Sequence, residues 1–393
     1  MNKKVLFITY ENPFTKNTGD SIYSANIIEA LFDLKANVDI VYFDSNASIP
    51  EIDSENKLKF NDTKLVRHTS KNITWFVLSN KPGMYVNRYS TAFLDQLELL
   101  LRNQKYDAIF VNHLKMVFTL PVLTKYAKNT KLNYISHNVE YLLSKNLFEN
   151  SVHFFNKIIN WQDSIKIGSL EKRIIPLFDN VTAICEHDRN YFLKKYKAIN
   201  VEIIRPLGPA LSALDKKINS KKINYVILAG SFIWGPKIEN LLSLLNAKNF
   251  KELGQNNIVL KVVGRASQEL VNKINSKYNG VEMTGDVLEM RPYYDEAKIA
   301  VIPEKLGGGF KLKVVEAASY QTAIFAINGA IKTCDFKPSK HYIEKNTFEE
   351  LISEIIKVQQ TPEILEKMIG DSSEIVQKYF TKQNIIKSLK KII

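Results

Sequence analysis

Short apolar runs alternate with longer stretches of helical period along most of this sequence, and few architectures accept that pattern. In the first cycle Val5 to Tyr10 leads through Asn17-Thr18-Gly19-Asp20 to Ile22, Ala25, Ile28, Leu31 and Phe32 at helical spacing, and then to a second run, Val38 to Phe43. Ala108 to Val111, Leu132 to Ser136 and Val181 to Ile184 continue the series. Runs of this kind are parallel strands buried on both faces, with helices crossing over right-handedly between them. From Pro206 the periodicity lapses through Leu207-Gly208-Pro209 and a polar stretch to Lys222, after which a second series begins: Tyr225 to Ala229, Val259 to Val263, Val281 to Met283, Ile299 to Ile302 and Ala323 to Ala326.

The pattern predicts an α/β protein of two Rossmann-like βαβ domains, residues 1–205 and 223–375, joined by a linker over 206–222. Residues 376–393 are expected to end the chain as a helix, with Ile385, Ile386, Leu389, Ile392 and Ile393 on one face, that can pack back on the first domain.

Composition narrows the partners. With 45% hydrophobic and 24% charged residues the chain is ordinary globular material, not a disordered or low-complexity one. Cys185 and Cys334 are too few for a disulfide framework, so a reducing, cytoplasmic compartment is expected. The run from Val5 stops at Glu11, too early for a signal peptide, and no uncharged apolar stretch reaches the length of a transmembrane helix. A net charge of +13 predicts attraction to nucleic acid, anionic lipid or phosphorylated small molecules. Nucleic acid is the weakest of these, because the basic residues are spread through helical stretches and no nucleic-acid-binding motif is present. The segment Leu142 to Trp161, rich in Leu143, Leu147, Phe148, Phe154, Phe155, Ile158 and Ile159 with Lys145 and Lys157, has two readings. The plainer is core; the other is a surface for an anionic membrane or an acceptor.

The chemistry concentrates in Gly307-Gly308-Gly309-Phe310-Lys311-Leu312-Lys313-Val314-Val315-Glu316, which comes after a strand and opens a helix. Consecutive glycines cost chain entropy and mark a sharp turn or a close approach to a ligand. A helix N-terminus behind them presents N–H groups and partial positive charge to a phosphate, and Lys311 and Lys313 add full charges. Glu316, about one turn further, is placed to accept from ligand hydroxyls. A plain glycine connection without a ligand remains the alternative.

This segment resembles the signature helix of GT-B glycosyltransferases of the retaining family 4 type: Gly309, Phe310, Leu312 and Glu316 match in order and spacing, Gly308 stands where a first Glu is usual, and Lys311 and Lys313 replace a Gly and a Pro. Gly230-Ser231-Phe232 resembles the first glycine loop of the donor domain, with Phe232 where an Arg is usual and Arg265 of Val263-Gly264-Arg265 as a stand-in. Gly285-Asp286-Val287 falls beside the nucleobase, Gly19 at the loop that approaches the donor diphosphate, and His137 in a His-containing turn; Glu171 and Gly208 also fall at familiar places.

The resemblance implies two domains facing across a cleft and transfer of a sugar from a nucleotide-diphosphate sugar to a glycan or lipid-linked acceptor with retention, as in bacterial surface polysaccharide synthesis. It implies catalytic roles for His137, Lys311 and Glu316. Donor contacts would come from Gly19, Gly230, Ser231, Arg265, Val287, Gly308, Gly309, Phe310, Leu312 and Lys313, and acceptor contacts from Asp20, Asn138 and Glu140. His137 would bond a donor hydroxyl. No metal or other cofactor is expected, since lysines and helix amides meet the diphosphate. A sugar-nucleotide epimerase and an inverting transferase are the other readings within this fold, and the lack of Gly-x-Gly-x-x-Gly after the first strand speaks against a dehydrogenase.

Overall fold

The computed structural model describes residues 3–14, 18–43, 79–151, 154–196, 199–209, 222–305, 309–358 and 362–393. They divide into unit 1, Met1–Leu207 with Lys382–Ile393, and unit 2, Gly208–Thr381.

In unit 1 the apolar runs become β1 (Lys4–Ile8), β2 (Asn37–Val41), β3 (Ala108–Asn112), β4 (Lys131–Ile135), β5 (Asn180–Ala183) and β6 (Asn200–Ile203). They form one sheet in the order β2-β1-β3-β4-β5-β6, every pair parallel. The helices are α1 (Gly19–Asp33), α2 (Gly83–Val86), α3 (Thr91–Asn103), α4 (Leu120–Tyr126), α5 (Glu140–Glu149), α6 (Phe154–Ile174) and α7 (Glu186–Lys195). Thr18 caps α1, accepting from Ser21 N while Ser21 Oγ accepts from Thr18 N, so the helix start is fixed by a reciprocal pair.

Unit 2 repeats the scheme with β7 (Lys222–Ala229), β8 (Val259–Val263), β9 (Val281–Gly285), β10 (Ala297–Ile302), β11 (Ala323–Ile327) and β12 (Ile343–Lys345), ordered β12-β11-β10-β7-β8-β9 and again parallel. Its helices are α8 (Gly235–Leu245), α9 (Lys251–Gln255), α10 (Gln268–Lys277), α11 (Arg291–Glu296), α12 (Leu312–Ser319), α13 (Phe348–Lys357) and α14 (Pro362–Tyr379). β10 is buried along its whole length, with separate apolar clusters on the two faces of the sheet.

The last helix, α15 (Lys382–Ile392), belongs to unit 1. Ile385, Leu389 and Ile392 are buried, Ser388 Oγ donates to Ile203 O at 2.8 Å, and Lys382 pairs with Asp33 of α1 at 2.6 Å. The expected segment 376–393 is thus split: α14 runs to Tyr379 inside unit 2, and only the residues after Thr381 join unit 1.

Doubly wound sheets leave a crevice outside the carboxyl ends of the strands where the winding direction reverses. In unit 1 that point lies between β1 and β3, and in unit 2 between β7 and β10. The core reading of Leu142 to Trp161 fails over its second half, because Phe154 and Phe155 are 71% and 78% exposed. Helical period marks an apolar stripe but not what covers it.

Candidate functional site

At the switch point of unit 1, α1 delivers Asp20 in its first turn, β3 ends on Asn112 with His113 just after it, and the turn after β4 delivers His137. Asn112 is the hub. Its Nδ2 donates to Thr9 Oγ1 and Ser24 Oγ at 2.9 and 2.8 Å, which turns its Oδ1 toward His137 Nε2 at 2.7 Å. The other ring nitrogen, Nδ1, lies 3.0 Å from Asp20 Oδ1, and Lys115 Nζ is 3.4 Å from Asp20 Oδ2. Burial works against ionising Asp20, but His137, His113 and Lys115 together hold its carboxyl well below the usual range.

Both nitrogens of His137 therefore face protein partners, and the residue is 5% exposed. Here it fixes Asp20. Glu140, expected on the acceptor side, is 4% exposed and faces His113 Nε2 at 3.3 Å. His113 Nδ1 accepts from Lys115 N, so the ring donates from Nε2 to the Glu140 carboxyl. Asn138 is half-buried, and its carbonyl accepts from Ser136 Oγ. Gly19 is exposed at the start of α1.

Burial pushes Glu140 up to about 8 against the pull of Lys115, with Glu171 and Asp20 adding to the rise. Glu171, which accepts from Tyr141 N at the start of α5, is pushed up by burial to about 7. A carboxyl that holds its proton more tightly folded than unfolded stabilises below the unfolded value of about 4.3 and loses that contribution as pH rises through its folded value. The melting temperature is accordingly expected to fall between pH 5 and pH 8.5 by a few degrees more in the wild type than in Glu140→Gln. Parallel melting curves across that range in the two proteins would count against the assignment.

In unit 2 the switch point is flanked by the β7–α8 and β10–α12 connections. Gly230 N donates to Val263 O at 3.0 Å and Phe232 N to Arg265 O at 2.6 Å, stitching the two glycine loops together. Phe232 is core at 3% exposure, so no phosphate contact comes from it; Arg265 is exposed and Ser231 half-buried. Val287 is half-buried beside the fully exposed Leu288.

The lysine segment carries the charge. Lys313 Nζ pairs with buried Glu304 and donates to Ala229 O at 3.1 Å. Burial opposes the ionisation of Glu304, yet Lys313, Lys311 and Lys237 hold its carboxyl below the usual range. Burial in turn lowers Lys311 and Lys237. Lys313 is thus the cation that bonds this acid, with the fields of Lys311 and Lys237 added, and α12 starts at Leu312 behind Lys311, whose own side chain makes no capping hydrogen bond. Gly309, at φ 81°, is pinned by Thr333 Oγ1 on its carbonyl, and Phe310 packs against Phe380. One expected donor is not available: Lys311 N donates to Cys334 Sγ at 3.3 Å, within a buried site where the thiol is pushed up to about 12. Glu316 accepts from Tyr294 OH at 3.4 Å, and burial raises its carboxyl. Gly308 lies outside the described residues.

Sequence reasoning misses Glu304, Lys237, Asn112, His113 and Lys115. A shared signal exists for Glu304, Asn112 and His113: each lies within two residues of the carboxyl end of a strand, where the chain leaves the core.

Residues 224–360 match the family model described as Glycosyl transferases group 1. The whole chain is similar in fold to sucrose-phosphate synthase from Thermosynechococcus elongatus, with TM-score 0.71 and 16% identity over 99% of this chain and 98% of that one. It is similar to S. aureus TarM, solved with UDP and alpha-GlcNAc-glycerol, at TM-score 0.66 and 13% identity over 99% of each chain. HepE from Anabaena in complex with UDP gives TM-score 0.62 and 13% identity over 99% of this chain and 98% of that one. No curated protein matches the sequence.

Proposed function

We propose that this GT-B glycosyltransferase moves a sugar, with retention, from a nucleotide-diphosphate sugar to a glycan or lipid-linked acceptor. The observation that carries the reading is the buried Lys313–Glu304 pair at the start of α12, where Lys311 and Lys237 also act on the Glu304 carboxyl. Two phosphates carry more negative charge than Glu304 alone, so a pyrophosphate complements the cluster better than the protein's own carboxylate does. Leaving-group departure builds negative charge on that pyrophosphate, and donors fixed toward it lower the barrier more than they tighten ground-state binding. Glu316, about one turn into the helix, would take a hydroxyl of the nucleotide in place of Tyr294. In unit 1, Asp20 is the half-buried carboxylate offered to an acceptor, held in place by His137 and Lys115. That two of the similar structures were solved with UDP supports UDP-sugars as the first donors to try.

A thermal-shift series over UDP-, GDP-, TDP- and ADP-sugars tests this. A nucleotide that binds the native state at about 100 times its dissociation constant adds ~2.7 kcal/mol, a shift of several degrees. No shift with any of them removes the reading. Consumption of the donor without an added acceptor, giving an epimerised sugar, would replace transfer with epimerisation.

A further inference from the structure

We propose that the first three turns of α6 form a docking surface for a membrane containing anionic lipid. Phe154, Ile158, Trp161 and Ile165 recur at i, i+4, i+7 and i+11 and so share one stripe, with Phe155 beside it. All five are exposed, from 47% at Ile158 to 78% at Phe155. Single exposed apolar residues are ordinary, but a contiguous aromatic stripe marks an interaction site.

Charge identifies the occupant. The stripe is flanked by exposed Lys157 and by half-buried Lys166, whose charge also reaches Asp163, with exposed Lys172 and Arg173 beyond its end. The two acids of this helix are turned inward: Asp163 accepts from Gly83 N at 3.0 Å, and Glu171 is 1% exposed. What the helix shows outward is therefore apolar and aromatic along a line, with cations on either side. Interfaces between proteins are depleted in lysine, whereas lysines beside an aromatic stripe meet lipid phosphates while Phe and Trp enter the headgroup boundary. The stripe is roughly 17 Å long at 1.5 Å per residue, too short to cross a bilayer but suited to lying in its surface. Among the described residues no helix is long and apolar enough to span a membrane. This surface belongs to unit 1 and the Lys313–Glu304 pair to unit 2, and the proposal does not depend on the transfer reaction.

Flotation of the full chain with vesicles of phosphatidylcholine, with and without phosphatidylglycerol, tests the proposal, with Trp fluorescence as a second readout. The protein is expected to float with the anionic vesicles at low salt and to stay behind with neutral ones. The Phe155→Ser, Trp161→Ser double variant is expected to lose that binding with its melting temperature and nucleotide response unchanged. Removing three cations as Lys157→Gln, Lys166→Gln and Lys172→Gln should weaken partitioning roughly a hundredfold, since each is worth about a factor of five near an anionic surface. Flotation that is absent, or indifferent to these substitutions, overturns the proposal. So does a stripe variant that converts a dimer to a monomer, which would assign the face to a second copy. A drop of many degrees in melting temperature would likewise show the stripe to be covered by the chain itself.

Discussion

Lys313→Ala is expected to lower sugar transfer by about 10² to 10³ and to destabilise the protein by about 3–5 kcal/mol, two losses with separate causes. The first would come from removing a cation that the proposed function sets against the departing pyrophosphate. The second comes from Glu304, which is 7% exposed and would lose the one cation that bonds it, leaving only the fields of Lys311 and Lys237 against its burial. Taking both charges away separates them. In the Lys313→Ala, Glu304→Ala protein no buried acid is stranded, so most of the stability should return while transfer stays low. Measured by urea unfolding and by donor consumption in the presence of acceptor, the pair gives a coupling energy in the first assay and little recovery in the second. Near wild-type turnover in Lys313→Ala would remove this lysine from the chemistry, whatever its stability.

The same ion pair shows where sequence reading stops. Strands can be placed from apolar runs because burial on both faces leaves a local imprint; Val259–Val263 is bounded to the residue, and most others to within two or three. The edge strands β6 and β12 leave no such imprint, since an edge carries polar residues such as Asn200 and Glu202, or Glu344 and Lys345. The glycine loops and Lys311-Leu312-Lys313 are visible for a similar reason: glycine and charge beside a strand end are local signals. Which side chain meets which is not local. Asp20 and His137 are 117 residues apart, and only the order β1-β3-β4 brings their loops to one edge of the sheet. The sequence therefore singles out His137 but not its bonds to Asp20 and Asn112, and it is silent on Glu304 because nothing nearby reveals that Lys313 pairs with it. The outward stripe on α6 belongs to the same class: its period is legible, its neighbours are not.

The second large effect is expected at Gly264. Its φ of +126° lies in a region that L side chains avoid, and a Cβ there would stand 2.0 Å from Gly230 O, a backbone atom with no freedom to swing aside. Gly264→Ala must therefore part the two loops that Gly230 N to Val263 O and Phe232 N to Arg265 O hold together, and the expected cost exceeds about 3 kcal/mol. The damage should reach the charge cluster, because Lys313 Nζ donates to Ala229 O, the carbonyl just before Gly230. Nucleotide-induced stabilisation should fall along with the melting temperature. Gly285→Ala supplies the comparison. Its φ of +76° is also unfavourable, but its nearest neighbour is Val271 Cγ2 at 3.4 Å, so strain of about 1–2 kcal/mol is the whole expected loss. Gly235→Ala, with nothing within 4 Å of the added methyl, should be neutral or slightly stabilising. Ranked by denaturant midpoint, the three separate backbone conformation from contact. Equal losses at Gly264 and Gly285 would mean that the close approach of the β7 and β8 loops contributes nothing, and that glycine is required at Gly264 for its dihedral alone.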